Sequence, residues 1–302
     1  MSAAPSVTVV IPTYNRGEEL RRALNCLARQ TDPDFDVFVC DDGSSEDIQS
    51  VVDDFRSKLT ITCERISNSG GPARPRNIGV ARARAAWVSF LDSDDWWLPN
   101  RMASIKPHLA DDVDVVYHSL SVTRSPTANH VGSGDAQLGL PLRDPDVLMH
   151  MLRFGNPLPT SATLVRTALM RDIGGFDDRR ELASVEDFDA WLRLASKGAR
   201  FRYVPESLGF YWVGEDNIST FTARQYERQL ALFERQLTLL PTPYRRKARS
   251  NFNYLLGSYE LMLNLPDSGR LNQIEFSMEP LRWLKARVKK VRHALGGSAR
   301  PK

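Results

Sequence analysis

The chain has 302 residues, 42% of them hydrophobic and 25% charged, a globular balance with length for one large or two small domains. Disordered, collagen-like and disulfide-stapled chains are argued against, since the three cysteines, Cys26, Cys40 and Cys63, have neither CxxC spacing nor an even count. Lys and Arg number 40 against 37 Asp and Glu, for a net charge of +3. Eight basic residues and no acid follow Pro280, which leaves the rest of the chain at −5. An acidic body with a basic end points to an anionic partner for that end. No apolar run approaches the ~20 residues of a membrane-spanning helix, and no signal-peptide pattern is present at the N-terminus, so a cytoplasmic location is expected.

In chain order, the β-branched run Val7–Ile11, closed by Pro12, reads as a buried strand. Leu20, Ala23, Leu24 and Leu27 predict a helix over 18–29. A second strand over 35–40 ends in Asp41-Asp42-Gly43-Ser44, a helix over 48–55 follows, and a third strand is read over 59–63. A helix over 76–84 precedes a fourth strand over 87–91, which ends in Asp92-Ser93-Asp94-Asp95, and a fifth strand is read over 113–117. Strands alternating with helices predict an α/β fold with a mainly parallel sheet flanked by helices, whose ligands bind beyond the carboxyl ends of the strands. Residues 120–160 read as a long irregular surface connection or lid, and beyond about residue 220 the pattern is helical. The expected division is a nucleotide-binding domain over 1–220 and a helical region over 221–302.

Two strand ends carry paired acids. Asp92, Asp94 and Asp95 form a loop where carboxylates converge on a hard cation such as Mn²⁺ or Mg²⁺, which takes its other ligands from water and substrate phosphates. One Asp there would suffice to cap a helix over 98–109, and three exceed that need. Asp41-Asp42-Gly43-Ser44 reads equally as an Asp-Gly turn with Ser44 as a helix cap. Glu186-Asp187 opens a helix with buried Trp191 and Leu192; it is either a first turn matched to the helix dipole or the seat of a general base. The Asn68-Ser69-Gly70-Gly71-Pro72 loop before Arg74 and Arg76 is an ordinary turn or a diphosphate cradle. No GxSxG, P-loop or GxGxxG occurs.

Taken in order, Val9 to Arg16, Asp41 to Ser44, Gly70-Gly71-Pro72 with Arg76-Asn77-x-Gly79, Phe90 to Asp95, Gly174 to Asp177 and Glu186 to Asp189 resemble the family-2 glycosyltransferases of GT-A fold, over roughly residues 7–220. The resemblance implies an inverting, metal-dependent transfer of a sugar from a nucleotide diphosphate donor, a UDP-sugar by family habit, to a hydroxyl of a saccharide acceptor. It implies a lipid-linked acceptor in assembly of a cell-surface polysaccharide or glycolipid. Position by position, it puts Pro12 and Tyr14 at the nucleobase, Asp42 on the base with Asp41 supporting its loop, and Arg76 near the donor phosphates. Asp92 falls nearer the ribose, Asp94 on the Mn²⁺ or Mg²⁺, Asp187 as the general base and Glu186 as an aid in orienting the acceptor. Pro75 and Ala85 depart from the family's usual small residue and Gly. Two alternatives compete: a non-catalytic nucleotide-sugar-binding scaffold, and a sugar-1-phosphate nucleotidyltransferase, whose basic Gly-rich loop after the first strand is missing from Pro12-Thr13-Tyr14-Asn15.

From Leu281 to Leu295, five apolar residues recur at three- and four-residue steps among Arg282, Lys285, Arg287, Lys289, Lys290 and Arg292. Such a helix suits the plane of an anionic membrane, which would place the protein at the inner face of the plasma membrane. Equally, its stripe packs on protein and its charges are merely solvated. Nucleic acid is not expected as a partner, because the acidic body repels a phosphate backbone.

Overall fold

The computed structural model describes residues 5–132, 134–142, 146–214, 222–274 and 280–294. Its first elements are β1 (Val7–Thr13), α1 (Gly17–Leu27), β2 (Phe35–Asp41), α2 (Ile48–Asp53), β3 (Ile61–Arg65), α3 (Ala73–Arg82), β4 (Trp87–Phe90), β5 (Trp96–Trp97) and α4 (Arg101–Ile105). They are followed by β6 (Val115–Thr123), β7 (Gln137–Leu138), α5 (Val147–Phe154), β8 (Thr163–Arg166), α6 (Thr167–Asp172), α7 (Glu186–Ser196) and β9 (Phe201–Trp212). Three long helices, α8 (Ala223–Leu239), α9 (Thr242–Met262) and α10 (Pro280–Ala294), complete the order. The chain divides into two compact units, Met1–Pro145 with Asn156–Asn217, and Asp146–Gly155 with Ile218–Lys302.

In the first unit a nine-stranded sheet runs in the order β3-β2-β1-β4-β8-β6-β9-β5, with β7 paired to β6. Its N-terminal half is parallel, β1 pairing with β2 and β4, and β2 with β3. The second half is mixed, because β8 runs antiparallel between β4 and β6 while β6 and β9 are parallel. All seven residues of β1 are buried, the expected state of a central strand covered on both faces. Leu20, Ala23, Leu24 and Leu27 of α1 are buried, as their spacing predicts. Helix α3 lies close on β1 at Gly79, where a Cβ would come within 2.3 Å of a Val10 methyl. Parallel pairing sets Thr13 beside Asp41 and Val10 beside Phe90, so the loops after β1, β2 and β4 open on one edge.

The stretch over 120–160 is largely irregular, as expected, but it is interrupted by regular elements. It holds the end of β6, the short strand β7 and helix α5, whose Leu148, Met149, Met151 and Leu152 are buried. Asp146 caps α5 by accepting the Met149 N–H at 2.9 Å, and this helix belongs to the second unit. There Phe233 of α8 stacks on Phe252 of α9 with ring centroids 4.0 Å apart. Leu261, Leu271, Ile274 and Ala286 form a second small core, reached by a close approach at Gly257, where a Cβ would stand 2.7 Å from Leu271.

Candidate active site

The site grows from loops of the first unit. After β1 the chain turns at Asn15, whose φ is 49°. Its N–H donates to Ser44 Oγ at 2.9 Å and its Oδ1 accepts the Ser45 N–H at 2.7 Å. Asp41 Oδ1 accepts the Ser44 N–H at 2.9 Å, with Arg65 3.6 Å from its other oxygen. Asp42 donates its N–H to Thr13 O at 2.8 Å and accepts the Ser69 N–H on Oδ1 at 2.8 Å. Gly43 lets the two loops close, since at its φ of 80° a Cβ would lie 2.9 Å from Asn68 N. Ser44 therefore does not cap α2; Asp47 does, accepting the Ser50 N–H at 3.0 Å. Pro12 is buried at the end of β1, and Tyr14 has 49% of its surface exposed.

The loop after β4 is crowded with charge. Asp92 accepts from Arg76 at 2.5 Å and its N–H donates to Ser161 Oγ at 3.0 Å. Asp94 is ion-paired with Arg16, and its carbonyl accepts from Arg22 at 2.6 Å. Arg22 in turn lies over the rings of Trp96 and Trp212, 4.3 and 5.0 Å from their centroids. Asp95 is buried and accepts the Trp212 N–H at 3.0 Å. Burial, opposed by Arg16 and reinforced by Asp92, raises the Asp94 pKa; burial, then the charges of Asp94 and Asp92, raises that of Asp95 well above the usual range. None of the three caps a helix, because α4 starts only at Arg101, after Asn100.

These residues fit a divalent cation. Among the described residues no group of three or more His, Cys, Asp or Glu side chains could hold an ion alone. A cation bound here would rest on Asp94, whose side chain is 17% exposed, and complete its shell with phosphate oxygens and water, the usual pattern for Mg²⁺ beside a nucleotide. Burial-raised pKa values in a cluster of acids mark negative charge that a cation would offset.

Arg76, expected near the donor phosphates, is held by two carboxylates. It is 3% exposed, and its fork is taken by Asp92 at 2.5 Å and Glu186 at 2.7 Å. Burial works against its charge, but the two carboxylates outweigh burial and hold its pKa above the ordinary value. It acts as a brace between the β4 loop and α7. Its neighbour Asn77 donates to Phe176 O at 2.8 Å and accepts the Phe176 N–H at 2.7 Å. Gly175 is required there, because its φ is 72° and a Cβ would lie 2.3 Å from Asn77 Oδ1.

At the start of α7, Asp187 Oδ2 accepts from Asn156 at 3.1 Å and Thr160 at 2.9 Å. Burial, then the neighbouring Glu186 charge, pushes its pKa up to about 6, against the pull of Arg76 and Thr160. Glu186 is buried; Oε1 meets Arg76, while Oε2 has no hydrogen-bond partner. It lines a shallow cleft with Gly70, Gly71, Arg74, Asp177 and Arg180. Sequence reading missed Arg16, Asn156, Thr160 and Ser161. Arg16 closes the first motif, whereas the other three lie in or just after the 120–160 stretch, which offered no chemical pattern.

A sheet of this order, with acidic loops at one edge and an acid-tipped helix braced to them, is a GT-A fold. The family model for Glycosyl transferase family group 2 matches residues 87–255, and that for Glycosyl transferase family 2 matches residues 8–139. The chain belongs to the family-2 glycosyltransferases. It is 34% identical over 206 residues to the pre-mycofactocin glycosyltransferase of Mycobacterium tuberculosis, covering 67% of this chain but 42% of that protein. It is 23% identical over 225 residues to the Escherichia coli UDP-Glc:alpha-D-GlcNAc-diphosphoundecaprenol beta-1,3-glucosyltransferase WfaP, covering 74% of this chain and 83% of that one. Among solved structures, Staphylococcus aureus TarS 1–349 with UDP-GlcNAc superposes with a TM-score of 0.63 at 22% identity, over 95% of this chain and 81% of that one. The mannosyltransferase PcManGT of Pyrobaculum calidifontis, with GDP-Man and Mn²⁺, gives 0.62 at 18% identity, over 98% and 77%. Among the described residues no helix is long and apolar enough to cross a membrane.

Proposed function

We propose that the protein is an inverting, cation-dependent glycosyltransferase that moves a sugar from a UDP-sugar to a hydroxyl of a lipid-linked saccharide, at the cytoplasmic face of the membrane, in assembly of a cell-surface polysaccharide or glycolipid. The observation that carries this reading is the Arg76 brace, which joins Asp92 to Glu186, next in sequence to Asp187, through contacts of 2.5 and 2.7 Å. One guanidinium thus links the acidic loop to the helix bearing the raised carboxylate. The solved neighbour bound to UDP-GlcNAc and the UDP-Glc and diphosphoundecaprenol in the name of WfaP support the donor and acceptor classes.

In this reading the nucleobase rests against Pro12 and Tyr14, with Asp42 hydrogen-bonding the base and Asp41 holding the loop through Ser44. Asp92 lies toward the ribose and Asp94 toward the diphosphate. Mn²⁺ or Mg²⁺ on Asp94 would supply Lewis-acid stabilisation of the leaving diphosphate. Asp187 accepts the proton of the acceptor hydroxyl as its oxygen attacks the anomeric carbon from the face opposite the diphosphate. The bond from that carbon to the diphosphate oxygen breaks, its electron pair leaves with the diphosphate, and one displacement inverts the centre. Burial keeps the pKa of Asp187 near about 6, which makes it a stronger base than an ordinary carboxylate while leaving it ionised at neutral pH. The unpartnered Oε2 of Glu186 accepts a saccharide hydroxyl and orients it.

The test is Asp187→Asn. Transfer falls by about 10²- to 10⁴-fold while nucleotide binding, followed by thermal shift, is retained. A variant that transfers as well as the parent would remove Asp187 from the chemistry, and a parent that binds a UDP-sugar without transferring it would favour a scaffold.

A further inference from the structure

Helix α10 packs the opposite way from what its apolar stripe suggests. Ala286 is fully buried, and around it Arg282 donates to Asn251 at 2.9 Å, Lys289 to Ser258 at 2.8 Å and Lys290 to Asp267 at 2.9 Å. Lys289 also lies 4.8 Å from the Tyr254 ring, and Trp283 packs against the small core of the second unit. The polar face is therefore the docked one. Leu281, Leu284, Val288 and Val291 point outward with 68, 55, 44 and 58% of their surfaces exposed. Helical spacing sets exposed Lys285 and Arg292 along one border of this stripe and exposed Arg287 along the other.

We propose that this outward face of α10 is a docking surface for an anionic lipid bilayer, with the four apolar side chains seated among the acyl chains and Lys285, Arg287 and Arg292 on the headgroup phosphates. A helix with an apolar stripe between basic borders lies in the interface plane of such a membrane, and long basic side chains reach back to the headgroups from its edges. Charge complementarity favours lipid over a second copy of the chain. Residues 281–302 contain no acid, so a two-fold pairing of α10 with itself would set basic borders against basic borders. Four side chains on one helix also fall well short of the ~800 Å² per partner that a stable protein interface buries. Leu295, Arg300 and Lys302 continue the basic, acid-free sequence but lie outside the described residues.

This proposal stands apart from the catalytic reading, and its test uses no activity. The full chain is mixed with vesicles of phosphatidylcholine alone or with 30% phosphatidylglycerol, in low and high salt, and the bound fraction is read by co-sedimentation. Binding to the anionic vesicles and weakening by salt are expected. Leu284→Glu with Val288→Glu abolishes binding, and Lys285→Glu with Arg292→Glu weakens it on the order of tenfold or more, at about 1 kcal/mol for each basic residue near an anionic surface. Both pairs are exposed, and unchanged melting temperatures verify that the variants fold. Failure of the folded parent to bind anionic vesicles overturns the proposal, as does binding that survives both pairs of substitutions. A concentration-dependent dimer in vesicle-free solution, lost in Leu284→Glu, also overturns it by assigning the stripe to a second copy.

Discussion

The acidic ends of β2 and β4 look alike in sequence and differ in physical state. At 41–44 one oxygen of each carboxylate holds the backbone: Asp41 accepts the Ser44 N–H, with Arg65 3.6 Å from its other oxygen, and Asp42 accepts the Ser69 N–H. At 92–95 Asp92 and Asp94 pair with the closer cations Arg76 and Arg16, and burial still raises Asp94 and Asp95. The first loop has one oxygen of each acid built into its own turn. The second gathers buried negative charge that Arg16 and Arg76 only partly offset. An acidic strand end thus says little until the partners of its oxygens are known.

The most damaging way to break this contrast is to remove the brace. Arg76→Met leaves Glu186 and Asp92 without their partner and lowers stability by about 3–5 kcal/mol, the usual cost of halving a buried ion pair; chemical denaturation reads it. Asp94→Ala is expected to keep the fold and lose transfer by about 10²-fold or more, together with any response to added Mn²⁺. Asp41→Ala does the reverse. It strands the Ser44 N–H and costs about 1–3 kcal/mol, raises KM for the donor and leaves kcat near the parent value.

The smallest effect sharpens the role of Asp187. Transfer falls as pH drops through about 6, because the base is protonated there. Glu186→Gln removes the neighbouring negative charge that helps raise this carboxyl, so the acid limb of the pH–rate profile moves to lower pH. A limb that moves upward contradicts the assignment.

The sequence made legible what local chemistry writes down. The buried run Val7–Ile11, the α1 stripe and the acidic strand ends announced the parallel half of the sheet and its ligand edge. Strand β9 was hidden because Pro205 and Gly209 interrupt it and its register against β6 shifts twice. Gly209 is there for space, since a Cβ would meet Trp96 O at 2.7 Å. The resemblance put Arg76 near the donor phosphates, but spacing did not reveal the carboxylates that hold it from 16 and 110 residues away. The same gap concealed Asn156 and Thr160, which lie 31 and 27 residues from the Asp187 they hold. The α10 stripe was visible in sequence, but which side docks was not, because Ala286 rather than a leucine makes the close contact.

The central claim is that the 92–95 loop and the 41–44 platform together hold a cation-bound nucleoside diphosphate. Thermal unfolding with UDP, GDP, dTDP or CMP, with and without Mn²⁺, tests it most directly. A ligand at 100 times its Kd stabilises by roughly 2.7 kcal/mol. A Mn²⁺-dependent rise in Tm with UDP, absent in Asp94→Ala, is the predicted result; an unchanged Tm with every nucleotide at saturating Mn²⁺ would contradict it.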